Sequence, residues 1–229
     1  MNDAAVWRLF DSGPQPAIDN MAWDEALLSL AARSGYPLLR FYGWCEPAAT
    51  FGYFQKWREV EKLTPLRPLL RRPTGGGLVP HAADWTYSVV IPPADPWYAL
   101  SAVDSYRRVH EWVRAAFLRL GAHAELAAQS RQDSPGQCFA GAERFDVLSN
   151  QRKIAGAAQR RNRDGLLIQG SIQPPAGINR RRFEEAFLQE AAERWGIQWV
   201  RYLPEPALTQ KMQTLREQKY AQLEYHTKR

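Results

Sequence analysis

Arg71-Arg72-Pro73-Thr74-Gly75-Gly76-Gly77-Leu78-Val79-Pro80-His81 is followed, after two alanines, by Asp84-Trp85-Thr86-Tyr87-Ser88-Val89-Val90-Ile91-Pro92. Three glycines in a row can hold backbone angles that a Cβ would forbid, and they leave N–H donors bare to an approaching group. Two arginines stand just before them. The alternation Trp85/Tyr87/Val89/Ile91 just after them predicts a strand that braces the loop. A glycine cluster by itself has two readings. It is a tight connection between strands, or it is a cradle for a ligand.

Outward from this loop, Leu69 to Arg72 reads as the strand that enters it and Trp85 to Ile91 as the strand that leaves it. Val6 to Asp11 predicts a short strand, closed by the turn signal Asp11-Ser12-Gly13-Pro14. Ala17 to Arg33 predicts a helix with Ile18, Met21, Leu28 and Ala32 on one face and Gly35 as its stop. Asp24 and Glu25 fall inside that helix, and a solvated face is the expected place for them. Pro37 to Trp44 and Ala48 to Gln55 read as aromatic-rich strands. Ser101-Ala102-Val103-Asp104 forms a capping box for a helix whose inward face is Val103, Tyr106, Val109, Val113, Phe117 and Leu120, ended by Gly121. Phe145 to Gln173 predicts a β-meander, with turns at Ser149-Asn150 and Asn162-Arg163-Asp164-Gly165. Asn179 to Trp195 predicts a helix with Phe183, Phe187, Ala191 and Trp195 inward, and a charged last helix runs from about Glu205. Mixed elements without strict βα alternation predict an α+β fold, a mixed and mainly antiparallel sheet covered by helices.

Composition narrows the function classes. The 229 residues, 45% hydrophobic and with nine tryptophans, can bury one sizeable core, so a single domain over 1–229 is expected. The net charge of +6 favours acidic partners. Cys45 and Cys138 carry neither a disulfide framework nor metal-ligand spacing, so no metal site is expected. No signal-peptide h-region and no membrane-length apolar run is present, and a cytoplasmic location is the expectation. A nucleic-acid-binding module is a second class to weigh, because of the charge and the run Arg180-Arg181-Arg182. Dispersed arginines without a reading motif argue against it.

Two side chains stand out for chemistry. Cys138 lies in Ser134-Pro135-Gly136-Gln137-Cys138-Phe139-Ala140-Gly141, flanks that predict a loop instead of a packed strand. A reactive thiolate needs access and a positive neighbourhood, and Arg152, Lys153, Arg160 and Arg161 are close enough in sequence to supply one. Lys153, in Arg152-Lys153-Ile154-Ala155-Gly156-Ala157-Ala158-Gln159-Arg160, is either a strand-edge lysine that discourages aggregation or a cation pointing into a cleft.

The run Arg-Arg-x-Thr-Gly-Gly-Gly-x-Val-x-His-x-x-Asp-x-x-Tyr-Ser resembles the signature of the lipoate–protein ligase and octanoyltransferase family. The resemblance extends from Trp7-Arg8-Leu9 through Arg40-Phe41-Tyr42-Gly43-Trp44, Phe51-Gly52-Tyr53-Phe54-Gln55 and the Lys153 segment, where Gln151 replaces a usual glycine, to the Lys219-Tyr220 tail. It implies the fold of biotin/lipoate protein ligase catalytic domains, related to class II aminoacyl-tRNA synthetases. It implies that Arg72, Thr74, Gly75, Gly76, Gly77, His81, Asp84, Gly156 and Gln159 serve substrate binding. Lys153 would contact the acyl carbonyl. The family commonly carries a histidine in or near Ile168-Gln169, and its absence removes one polar group from the expected site. Cys138-Phe139 before an Asp146-containing strand resembles the members that pass the acyl group through a cysteine thioester. That implies an octanoyl or lipoyl group moved onto a lysine of a lipoyl-domain protein, with an acyl carrier protein as donor, both acidic, and no cofactor. The alternative within the family is an ATP-dependent lipoate ligase needing ATP and Mg. Such ligases commonly carry an accessory domain for which this chain's length leaves no room. Neither a nucleic acid nor a membrane is an expected partner.

Overall fold

A computed structural model describes residues 5–132 and 141–228. In chain order the elements are β1 (Val6–Gln15), α1 (Ala17–Ser34), β2 (Leu38–Trp44), β3 (Ala48–Phe51), α2 (Trp57–Val60), β4 (Leu69–Arg71), β5 (Val79–His81) and β6 (Trp85–Ile91). They continue with α3 (Ala102–Arg119), β7 (Glu125–Leu126), β8 (Arg131–Gln132), β9 (Gly141–Ala142), β10 (Val147–Ser149), β11 (Arg152–Asn162), β12 (Gly165–Ile172), α4 (Arg180–Trp195), β13 (Gln198–Arg201), α5 (Pro206–Leu215) and α6 (Leu223–Thr227).

The main sheet has the order β13-β1-β2-β6-β12-β11-β10-β7. Only β1 pairs in parallel, with β13 and β2, and every other ladder is antiparallel. The expected α+β class therefore holds. Period-2 alternation divides the sheet into two chemically different faces. Leu39, Phe41, Tyr87, Val89, Ile91, Leu166 and Ile168 point to the side covered by α3 and α4, where Trp112 stacks on Phe187 at 3.7 Å. Burying each such large apolar side chain contributes about 1.5–3 kcal/mol. The other face meets α1 and α5 through Leu38, Val90 and Leu167. This second face also carries Arg40, Tyr42, Thr86, Ser88, Gln169 and Ser171, all buried. Beside it stands a small sheet, β4-β3-β5, with the glycine loop strung between β4 and β5.

Several local expectations change. Asp11-Ser12-Gly13-Pro14 does not end the first strand. β1 runs on to Gln15 through a register shift between Asp11 and Pro14, with Gly13 at φ 61° and its N–H donated to Asp11 Oδ1. The turn residues make a bulge because β2 pairs with β1 on both sides of it. In α1, Ala31 and not Ala32 is buried. In α3, Val103 is 58% exposed, because the capping residue Ser101 sets that turn at the helix's solvent end. Asp24 does not face water: its side chain is wholly buried, as described below. No helix among the described residues is long and apolar enough to cross a membrane.

Candidate functional site

The glycine loop is held from both sides. Arg72 N–H donates to Phe51 O at 3.0 Å and Tyr53 N–H to Thr74 O at 2.8 Å, so the loop continues the β3–β4 ladder. Gly76 sits at φ 82°, a conformation that a Cβ would strain. Gly52 is as necessary from the other side: a Cβ there would lie 1.9 Å from Gly76 O. Arg72 is buried and braces the loop from within, with its guanidinium donating to Thr74 Oγ1, Thr50 O and, at 2.5 Å, Gly75 O.

Behind the loop lies a narrow cavity, lined by residues that include Met21, Trp44, Arg72, His81, Gly156 and Gln169. His81 lies face to face with Trp44 at 3.8 Å. Its Nδ1 is 2.8 Å from Asp84 Oδ2 and its Nε2 is 2.8 Å from Thr50 Oγ1. Thr86 and Ser171 hydroxyls donate to the same Asp84 oxygen, and Trp44 Nε1–H donates to Thr86. Burial alone would push the Asp84 carboxyl up. His81 and the two hydroxyl donors outweigh it and hold the group below the usual carboxylate range. Asp84 Oδ1 is buried without a hydrogen-bond partner among the described residues.

The floor of the cavity is a polar relay. Thr74 Oγ1 donates to Gln169 Oε1 at 2.7 Å, and Gln169 Nε2 donates to Asp24 Oδ2 at 2.7 Å. Asp24 also accepts from Arg40, Tyr42 and Ser88. The glycine loop is thus linked through two side chains to a buried Arg40–Asp24 pair under the sheet. Gln169 does not leave the site a polar group short, because its amide supplies both an acceptor and a donor to the floor.

Lys153 is not a solvated edge residue. Its side chain is 4% exposed and its Nζ lies 2.7 Å from Asp146 Oδ2. Asp146 is fixed in turn by Tyr106 O–H at 2.5 Å and Glu143 N–H at 2.6 Å. The lysine's end lies across Gly156, where a Cβ would come within 2.6 Å of Lys153 Cε and 2.8 Å of Nζ. Gly156 also lines the cavity, so the ammonium stands against one of its lining residues. Under this group sits His110, wholly buried, with Nδ1 2.9 Å from Tyr106 O. Burial pushes it down to about 4, so it is a neutral neighbour of the Lys153–Asp146 pair at ordinary pH.

Arg72, His81 and Gly156 thus line one cavity, and Thr74, Asp84 and Lys153 stand behind its lining, Thr74 on Arg72 and Gln169, Asp84 on His81 and Ser171, and Lys153 against Gly156. Gly75 and Gly77 flank the exposed Gly76 at the cavity's edge. Gln159 goes elsewhere: its side chain accepts from Ser105 Oγ and donates to Ala102 O, tying β11 to the start of α3. Cys138 lies outside the described residues, and Cys45 is exposed. No cluster of three or more His, Cys, Asp or Glu suited to a metal occurs among the described residues. In the run 180–182, Arg180 and Arg181 each pair with a glutamate four residues on, at 2.7 and 3.0 Å.

The sequence placed Asp24 on a solvated face and Asp146 only within a strand after Cys138-Phe139, and assigned neither to this site, although both signals were present. Asp24 stands three residues after Met21 and four before Leu28, on the same buried stripe of α1. Asp146 sits between two apolar residues that enter β10.

Residues 16–198 match the model of the lipoyl protein ligase A/B catalytic domain. Octanoyltransferase LipM of Symbiobacterium thermophilum is 38% identical over 179 residues, which cover 72% of this chain and 64% of that protein. The chain thus spans just under two thirds of that relative's length. Among solved structures, the putative lipoate protein ligase Ta0514 from T. acidophilum superposes with a TM-score of 0.81 at 20% identity, covering 97% of this chain and 99% of that one. A bi-partite lipoate protein ligase, studied with its E2 lipoyl domain from Thermoplasma acidophilum, gives 0.74 at 20% identity, covering 98% and 96%. These two likenesses carry the fold.

Proposed function

The chain belongs to the lipoyl protein ligase A/B catalytic-domain family, and from that premise we propose that it is an octanoyltransferase acting on a lysine of a lipoyl-domain protein. The observation that carries the reading is the cavity behind the glycine loop, with the buried Lys153 ammonium held by Asp146 against Gly156 of its lining. The likeness to octanoyltransferase LipM points to an octanoyl group as its occupant.

In this reading Cys138 is the nucleophile. Its thiolate attacks the thioester carbonyl of an octanoyl carrier protein, the carrier thiol leaves with a proton, and an octanoyl thioester forms on Cys138. The acceptor's lysine amine then attacks that thioester, the Cys138 sulfur leaves, and an amide results. Both acyl donors are thioesters of similar energy and the amide lies downhill, so no nucleotide cofactor is required. Splitting the transfer lets two protein partners bind in turn. Lys153 donates to the acyl carbonyl oxygen as charge develops there, and Asp146 keeps that ammonium aimed. The Gly75-Gly76-Gly77 backbone, braced by Arg72 and Thr74, holds the acyl group near its carbonyl end, and His81 with Asp84 forms the cavity wall.

The test is to mix the protein with an octanoyl carrier thioester and no acceptor. An octanoyl mass should appear, map to Cys138, and vanish on addition of hydroxylamine or a lipoyl domain. Cys138→Ala should gain no mass and transfer nothing, while Cys45→Ala should do both. A fully active Cys138→Ala protein, or ATP–pyrophosphate exchange dependent on lipoate, would replace this reading with that of an ATP-dependent ligase.

A further inference from the structure

The segment 216–228 lies beyond the matched family region and folds back to the strand that feeds the glycine loop. Arg216 pairs with Asp19, and Lys219 Nζ and Tyr220 O–H both reach Glu25 on α1. α6 then places His226, 4% exposed, against β4. β4 is an edge strand of its small sheet, so the outer N–H of Arg71 has no ladder partner. The His226 ring supplies one. Arg71 N–H donates to Nδ1 at 2.9 Å, and the His226 carbonyl accepts from the Arg71 guanidinium at 2.8 Å. The same guanidinium reaches Tyr53 O and Gln55 O, on the chain segment that backs the loop.

We propose that His226 is a positioning residue for the acyl-binding loop, and that it works only as the neutral imidazole. Both ring nitrogens are committed: Nδ1 must accept from Arg71 N–H, so Nε2 carries the proton and donates to Tyr220 O at 2.9 Å. A second ring proton would set two N–H groups against each other at the residue before Arg72. It would also put a cation beside Arg71, Lys219 and Lys228. Burial, followed by these three cations, lowers the tendency of His226 to protonate, opposed by its bond to the Tyr220 carbonyl. Other charged groups around the segment are Glu25, already taken by Lys219 and Tyr220, Arg160 on β11, Arg58 and Glu59 on the packed helix α2, and Glu224 on α6 itself. Mild acid should therefore loosen this latch and the loop with it.

The inference about catalysis rests on the proposed octanoyl transfer; the inference about the latch does not. Hydrogen exchange at the Arg71 amide reads the latch directly. Protection should be present near pH 8 in the native chain, drop by about tenfold or more in His226→Ala, and be restored in His226→Asn, whose Oδ1 can take the same N–H. Octanoyl transfer should follow. His226→Ala should lose about tenfold at every pH, and the ratio of native to His226→Asn activity should fall as pH drops below the ordinary histidine range. Unchanged Arg71 protection in His226→Ala, or a ratio that stays constant with pH, would overturn the proposal. If no variant transfers octanoyl, the reaction assignment has failed, while the Arg71 exchange still decides the role of His226.

Discussion

Asp24 shows how much one side chain can hold. It is a carboxylate with no exposed surface, 2.8 Å from Arg40 Nη1, and three further donors surround it: Tyr42, Ser88 and Gln169. Buried ion pairs are poor sources of net stability against an apolar alternative, but removing one partner strands the other. Asp24→Ala leaves the Arg40 guanidinium buried without its counter-charge and Gln169 without its anchor. A loss of about 3–5 kcal/mol in urea unfolding is expected. A change below about 1 kcal/mol would mean that the network adapts freely and does not brace the glycine loop.

On the scale of elements, β11 carries two parts that work as one. Lys153 is its second residue and Gly156 stands three residues on, so the lysine's end can lie across a position that has no side chain. A methyl group there meets Lys153 Cε and Nζ, the far end of a flexible chain that can swing away, with Asp146 Oδ1 next at 3.3 Å. Gly156→Ala should therefore leave stability within about 1 kcal/mol of the native chain, since losing a glycine also reduces unfolded-state freedom. Octanoyl transfer should drop by about 10²-fold or more, matching Lys153→Ala, because the donor no longer points at the developing charge. Single-turnover transfer measured beside a thermal melt separates the two effects. Near-native transfer would remove Lys153 from the chemistry.

At the level of the whole molecule, the net charge of +6 bears on encounter more than on fold. Part of it is locally answered, as at Arg180 and Arg181. If the carrier and the lipoyl domain are acidic, association should be steered. Raising ionic strength from about 0.01 M to about 0.15 M shortens the screening length from about 30 to about 8 Å. The second-order transfer rate should fall over that range while the rate at saturating partner stays level. A second-order rate indifferent to salt would show that docking depends on shape alone.

Read alone, the chain determined the features that depend on neighbours within a few residues. The Trp85–Ile91 alternation, the Ser101 cap, the Gly35 stop, the meander turns and the glycine loop all follow from local sterics and hydrogen bonding. The family motif pointed to the same loop and to the Lys153 segment, and Arg72 and Gly156 from those two stretches line one cavity. What tertiary structure alone decided is which polar groups share a space. Asp24 is buried because β2, β6 and β12 bring Arg40, Ser88 and Gln169 to it from far along the chain. The Asp11–Pro14 turn became a bulge because β2 lies alongside it. Gln159 left the loop for α3, and His226 arrived at Arg71 from 155 residues away. A buried polar atom must find a partner, and only the folded chain determines which partner is within 3 Å.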